Sequence, residues 1–169
     1  MTPSIDETLR AGLDRRQLGV AAAAVLIVAS HPAAAQEVGL VTHPSAHPVR
    51  VTLDRFAAAV REANWVVFTE IDHAAAAEAV GMTLRPRIVV FFGNPRAGTG
   101  AMASNPTLAL DLPMRVLVWQ DDAGQTQVTR STGEDIATRV FARHGIAMPP
   151  EARQATDAFL DTLVRKAAG

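Results

Sequence analysis

The 169-residue sequence contains no cysteine and no tyrosine. Without thiols there are no disulfides, no iron–sulfur clusters, no thiolate zinc sites and no cysteine nucleophile. Charge of one sign is also lacking: 16 basic residues stand against 17 acidic ones. That balance gives no electrostatic argument for nucleic acid or for an anionic membrane surface, and nucleic acid is not an expected partner. Aromatic residues make up only 5% of the chain, and no basic patch with interleaved aromatics occurs. Several sequence signatures are missing too. There is no Gly-Lys-Ser/Thr of a P-loop, no Gly-x-Gly-x-x-Gly, no His-Glu-x-x-His and no Gly-x-Ser-x-Gly. No reaction is spelled out.

Apolar residues are plentiful, at 49%, although many are alanine. The first stretch reads as an export signal. Asp14-Arg15-Arg16-Gln17-Leu18-Gly19 precedes an uncharged run from Val20 to Ala29, too short for a comfortable membrane-spanning helix. Ala33-Ala34-Ala35 then offers small residues for cleavage before Gln36. The order resembles a twin-arginine signal over residues 1–35. The alternatives are a general secretory signal carrying two arginines and an uncleaved anchor. The expectation is periplasmic localisation, with membrane contact only through this signal. Residues 36–169 are then one domain.

Within that domain the hydrophobic period alternates between strand-like and helix-like. Val38 to His43 reads as a strand, limited by Pro44 and Pro48. Leu53, Phe56, Ala57, Val60 and Ala63 mark one helical face, with Thr52 as cap and Asn64 as left-handed stop. Trp65 to Ile71 is strand-like; Asp72 then caps a short alanine helix ended by Gly81. Ile88 to Phe92 is the central apolar strand. It runs into Gly93-Asn94-Pro95-Arg96-Ala97-Gly98-Thr99-Gly100, read as a loop, with one helical turn at Ala101–Ser104. Met114–Gln120 and Gln125–Ser131 form a hairpin about Asp121–Gly124, expected at one edge of the sheet. Gly133 to His144 and Glu151 to Lys166 read as helices, the latter with Ala155, Phe159, Leu160, Leu163 and Val164 in one stripe. This order predicts an α+β fold, with a mostly antiparallel sheet of about five strands and helices packed on one face.

Three stretches carry a resemblance. They are Glu70-Ile71-Asp72-His73 with Ala77 and Gly81, then Phe92-Gly93-Asn94-Pro95-Arg96-Ala97-Gly98-Thr99, then Leu110-Asp111-Leu112-Pro113 before Val116-Leu117-Val118-Trp119. As a set they resemble the domain of unknown function 302 family, over roughly Val38 to Gly145. The resemblance implies a compact domain with a curved sheet and the possibility of homodimers. It supplies no catalytic role. The helix from Glu151 to Lys166 looks additional to the family and is expected to cover an edge.

The candidate site follows from these stretches. A pocket walled by Asp72, His73, Gly93, Asn94, Pro95, Arg96, Gly98, Thr99 and Asp111 is expected to bind a small-molecule or anionic ligand. Glycines let backbone amides approach an anion, and Arg96 can pair with it. The plainer reading is a structural strand exit, with Asn-Pro as a turn. Asp72 beside His73 suggests an oriented general base in a periplasmic enzyme; the plainer reading is a helix cap. Asp111 is costly to bury alone and is expected to pair with Arg96 or Arg115. His43 and His47 have metal-ligand spacing for a helix, but Pro44 and Pro48 oppose that helix. No metal ligand set is assigned. A haem or metal carrier is kept as an alternative to a dimeric binding module, and the cofactor is left open.

Overall fold

A computed structural model of the protein describes residues 38–169. The expected export signal over residues 1–35 lies outside the described residues. The order of elements is strand β1 (Leu40–Pro44), helix α1 (Val49–Glu62), β2 (Val66–Asp72), α2 (His73–Glu78), β3 (Arg87–Gly93), α3 (Pro95–Ser104), β4 (Met114–Gln120), β5 (Thr126–Ser131), α4 (Gly133–Asp135) and α5 (Pro150–Ala168). A 3-10 helix, Pro106–Leu110, precedes β4. A π-helix, Ile136–Phe141, continues α4 and passes into a 3-10 turn ending at His144. The α+β class and the five-stranded antiparallel sheet are as expected.

The strands run in the order β1-β5-β4-β3-β2, every pair antiparallel. The β4–β5 hairpin is therefore not at an edge. The first strand adds outside β5, pairing Leu40 with Ser131 and Pro44 with Gln127. Local pairing in sequence places a hairpin but does not say what docks beside it, which is why the edge was misassigned.

One face of the sheet carries the core. Ile88, Val90 and Phe92 of β3 alternate inward with Val116 and Val118 of β4 and Val128 of β5. Leu53, Phe56 and Val60 of α1, with Leu160, Leu163 and Val164 of α5, close over them. Phe56 meets Phe92 edge-on at 5.1 Å between centroids. The last helix is thus part of the core rather than an edge cover. Of its expected stripe, Ala155 is exposed, and Ala167 is buried in its place.

Charge enters this core at one point. Arg130, only 4% exposed, lies on the inward face of β5 and donates to Asp161 and Asp157 of α5. Its Nη1 reaches Asp157 at 2.7 Å and its Nε reaches Asp161 at 3.1 Å. The buried guanidinium is thereby paired and hydrogen-bonded, as its burial requires.

Local entries differ from expectation in two places. Helix α1 starts at Val49, directly after Pro48, and Thr52 does not cap it. The Thr52 hydroxyl instead bonds Ser45 Oγ at 2.7 Å and donates to the Pro48 carbonyl inside the first turn. The segment from Pro95 is helical well before Ala101. Asn64 does adopt φ 60°, ending α1 as predicted.

Candidate functional site

The end of the sheet where β3 leaves and β4 enters is hollow. An apolar cavity of about 310 Å³ opens there. Phe68 walls it from β2 and Trp65 from the residue before that strand, Met102 from α3, Leu112 and Pro113 from the approach to β4, and Phe141 from the π-helix. Its volume is in the range of small-ligand sites. Three local features border it. A β-bulge between Val67 and Thr69 breaks the β2–β3 register and leaves Phe68 53% exposed at the rim. Gly93 borders it beneath the Phe68 ring, where a Cβ would make only ordinary contact with that ring and with Pro113. The π-helix, a geometry that recurs at functional sites, presents Phe141 between this cavity and a second one.

The second cavity, about 460 Å³, adjoins the first through Trp65, Leu112, Pro113, Met114 and Phe141, which line both. It is charged where the first is not. Asp111, Arg115, Asp135, Arg139 and Arg143 contribute to its wall. Arg139 forms an ion pair with Asp135 at 2.8 Å, and Arg143 with Asp111 at 3.1 Å.

Asp111 has a closer partner. His144 Nε2 lies 2.6 Å from Asp111 Oδ2, and His144 Nδ1 lies 2.9 Å from the Thr107 hydroxyl. The imidazole is 4% exposed and engaged at both nitrogens. The His144 hydrogen bond, with the charges of Arg143, His144 and Arg115, holds the Asp111 carboxyl below its ordinary value, against the opposing effect of desolvation. The expected partners Arg96 and Arg115 are therefore replaced by His144 and Arg143. Those residues lie 32 and 33 positions downstream, and nothing in the local sequence announces the contact.

The other site residues divide. Gly93, Asn94, Pro95 and Gly98 line the apolar cavity; Arg96 and Thr99 are exposed beside it. The glycine-rich stretch is not an open anion loop. Asn94 Oδ1 accepts from the amides of Arg96, at 3.0 Å, and Ala97, at 3.4 Å. Those amides are the donors an anion would need, and a side chain already occupies them. Asn as cap followed by Pro at the first helical position was the signal for a helix here, and the glycines obscured it. A Cβ at Gly98 would make ordinary contact with Met102 and Leu112, so this glycine keeps the cavity wall low.

Asp72 and His73 do not join the cavity. In the β2–β3 register Asp72 is opposite Ile88 while Val66 is opposite Gly93, which separates them by about 17 Å along the strand. Asp72 Oδ1 accepts from the amides of Ala74 and Ala75, capping α2, and His73 is exposed. The expected convergence of Asp72, His73 and Asp111 is absent. Among the described residues the close carboxylate–imidazole pair is Asp111–His144, at 2.6 Å; His43 stands 3.7 Å from Asp161. Among the described residues no three of His, Asp and Glu converge as metal ligands.

The fold and its hollow end define an α+β domain with a single antiparallel sheet, two long helices on one face and a cavity at the β3–β4 end. The model of the family "Domain of unknown function DUF302" matches residues 41–163, and the chain belongs to that family. The match extends through most of α5, so the last helix is not an addition to the family. A crystal structure of an uncharacterized conserved DUF302 protein from Bacillus stearothermophilus is similar, with a TM-score of 0.63 at 13% identity. The likeness covers 77% of this chain and 98% of that one. The chain is also 43% identical over 91 residues to the fluoride-specific ion channel FluC 1 of Brucella suis. FluC 2 of Brucella melitensis matches to the same extent. These matches cover 54% of this chain but only 36% and 34% of the relatives, so the chain spans about a third of their length.

Proposed function

We propose that this domain is an exported binding module that holds a small apolar ligand at the end of its sheet. The observation that carries the reading is the cavity of about 310 Å³ beside Trp65, whose wall has almost no polar groups. Apolar cavities of this size stay poorly hydrated, and filling one from water is favourable. The enzyme reading has less support, because Asp72 and His73 lie apart from both cavities.

The test uses N-phenyl-1-naphthylamine, a neutral apolar fluorophore. Binding is expected to raise its emission and the melting temperature of the protein together. Ala101, which lines the cavity from α3, is the position to block. Ala101→Phe is expected to weaken binding by about tenfold or more, a displaced phenyl-sized contact being worth about 1.5–3 kcal/mol. No emission change with the unaltered protein would remove the proposal.

Two further parts belong to this reading. The uncovered face of the sheet carries Val89, Phe91, Leu117 and Trp119, flanked by Leu40 and Ile71, which are 40% and 42% exposed. Five strands of this length span a face of about 24 by 20 Å. That footprint of about 480 Å² falls short of the about 800 Å² per partner of a standard interface, so the strand ends around it would have to contribute; we assign the face to a second copy of the chain. The Brucella relatives are named as ion channels, but most of the matched 91 residues fall after residue 37, where no helix is long and apolar enough to cross a membrane. The shared stretch is better read as a module joined to a channel in those proteins than as pore-forming chain. Here the twin-arginine-like signal takes the module to the periplasm. Arg15→Lys with Arg16→Lys is expected to retain it in the cytoplasm on cell fractionation.

A further inference from the structure

The apolar cavity is walled by a different set of side chains from the core it adjoins. The core is built mostly of valine, leucine and isoleucine, as in Leu53, Val90, Val116 and Leu160. Leu112 is the one branched aliphatic residue among the described residues that line the cavity. The chain holds only six Phe and two Trp, yet Trp65, Phe68 and Phe141 all stand at this wall. Two thioethers, Met102 and Met114, stand with them. Trp65 is fixed in place from behind: its indole packs on Phe159 at 4.5 Å and lies 6.2 Å from Phe92 between ring centroids. On the α3 side, Ala97, Gly98 and Ala101 have nothing beyond Cβ, so that wall is smooth. None of the lining residues is ionisable, and the Asn94 carbonyl oxygen is already taken by the amides of Arg96 and Ala97.

We propose that the ligand of this cavity is a neutral, flat aromatic molecule of the size of naphthalene. The inference rests on the preceding reading of the apolar cavity as a ligand site and adds the chemistry of what enters it. The aromatic character follows from the wall. An aromatic ligand gains offset or edge-to-face contacts with Trp65, Phe68 and Phe141, and sulfur contacts with Met102 and Met114. These come on top of the burial of apolar area, which a saturated ligand of the same carbon skeleton shares. Flatness follows from the α3 side, where a ring face can lie at contact distance and a puckered molecule leaves gaps. Neutrality follows from the absence of ionisable lining: an ion there would be desolvated with no counter-charge. Size follows from volume. At roughly 30 Å³ for each water-sized group, 310 Å³ holds about ten of them, as many as the carbons of naphthalene.

The experiment displaces N-phenyl-1-naphthylamine from the whole chain with four competitors. Naphthalene and decalin share one carbon skeleton, aromatic in the first and saturated in the second. 2-Naphthoate and 2-naphthylmethylammonium add a negative or a positive charge to the aromatic rings. For the two hydrocarbons, each affinity is divided by the compound's own partition from water into hexane, which removes the contribution of area alone. On that scale naphthalene is expected to bind about three- to tenfold tighter than decalin, the range for aromatic contacts beyond burial. Both ions are expected to bind at least about tenfold more weakly than naphthalene. Phe68→Leu, at the exposed rim, keeps an apolar side chain and is expected to reduce the naphthalene advantage about twofold. Equal corrected affinities for the two hydrocarbons, or an advantage that Phe68→Leu leaves untouched, overturn the aromatic assignment. An ion that binds as tightly as naphthalene overturns the neutral one. In each of these cases the apolar site stands. Dye that binds but is displaced by none of the four, or no dye binding at all, removes the site itself.

Discussion

His144 and Asp111 face one another across two short turns, Nε2 to Oδ2 at 2.6 Å, and tie the 3-10 turn before Gly145 to the approach of β4. Arg143 forms an ion pair with the same carboxylate oxygen at 3.1 Å. The wall of the charged cavity is fixed by this contact.

A consequence is a specific acid sensitivity. The Asp111 carboxyl is held below its ordinary value, chiefly by the His144 hydrogen bond. A lowered folded-state value means that the carboxylate stabilises the fold above the unfolded value, near 4, and loses that contribution as pH falls through its own lower value. Asp111→Asn is expected to lower the melting temperature at neutral pH by several degrees. The gap between the variant and the unaltered protein should close as pH drops from about 4 downward, measured by melting curves across pH. A gap that stays constant to the lowest pH would contradict the assignment.

The Arg130 cluster predicts an asymmetry. Asp157→Asn with Asp161→Asn leaves an almost fully buried guanidinium with no counter-charge. The asparagine at 157 can still accept from the Gly133 amide, so that bond is kept. The expected cost is about 3–5 kcal/mol by urea unfolding. Arg130→Met, by contrast, leaves two carboxylates that are each about a third exposed, and it is expected to cost about 1–2 kcal/mol. The reverse order would show that the guanidinium is hydrated rather than buried.

Gly133 opens α4 against the backbone of α5. A Cβ there would overlap the Arg153 carbonyl oxygen, and no side-chain rotation relieves a clash with backbone. Gly133→Ala is expected to destabilise by about 2–4 kcal/mol, measured by denaturant midpoint. A neutral result would mean that α4 and α5 separate readily.

Self-association is expected to run through the uncovered sheet face. Leu117→Glu places a charge at its middle strand and should convert a dimer to a monomer in sedimentation, leaving the melting temperature of the monomer little changed. A monomer before substitution, at concentrations of tens of micromolar, refutes the pairing.

The fold was largely legible because its signals are local. Alternation in β3 and β4, the helical face at Leu53, Phe56 and Val60, the left-handed stop at Asn64 and the Asp72 cap all operate within a few residues. The site was legible only in part. Gly93, Asn94, Pro95 and Gly98 were singled out for their unusual backbone and do line a cavity, but as the start of a capped helix beside an apolar space. Trp65, Phe68, Met102 and Phe141 carry no sequence signal of a cavity, since an apolar side chain at a cavity and one in a packed interior have the same pattern in sequence. His144 looked like the end of a helix, and Asp111 looked in need of an arginine. Their union depends on how the segment after β5 folds back over the sheet end, a tertiary relation that no spacing encodes. Asp72 and His73 failed for the converse reason: adjacency in sequence put them together, but β2 carries both to the other end of the sheet.

Arg130 also bears on the order in which the domain is completed. Its carboxylate partners lie on the last helix, and Leu160 and Leu163 from that helix seal the same layer. A domain in which β5 has paired but α5 has not docked holds a cation facing an unroofed apolar sheet, where water still solvates it. Only when α5 docks can that water leave, so the inner face of the sheet stays wet until that helix is in place. The docking of α5 therefore does two things at once, neutralising the arginine and drying the sheet, so neither can be completed without the other.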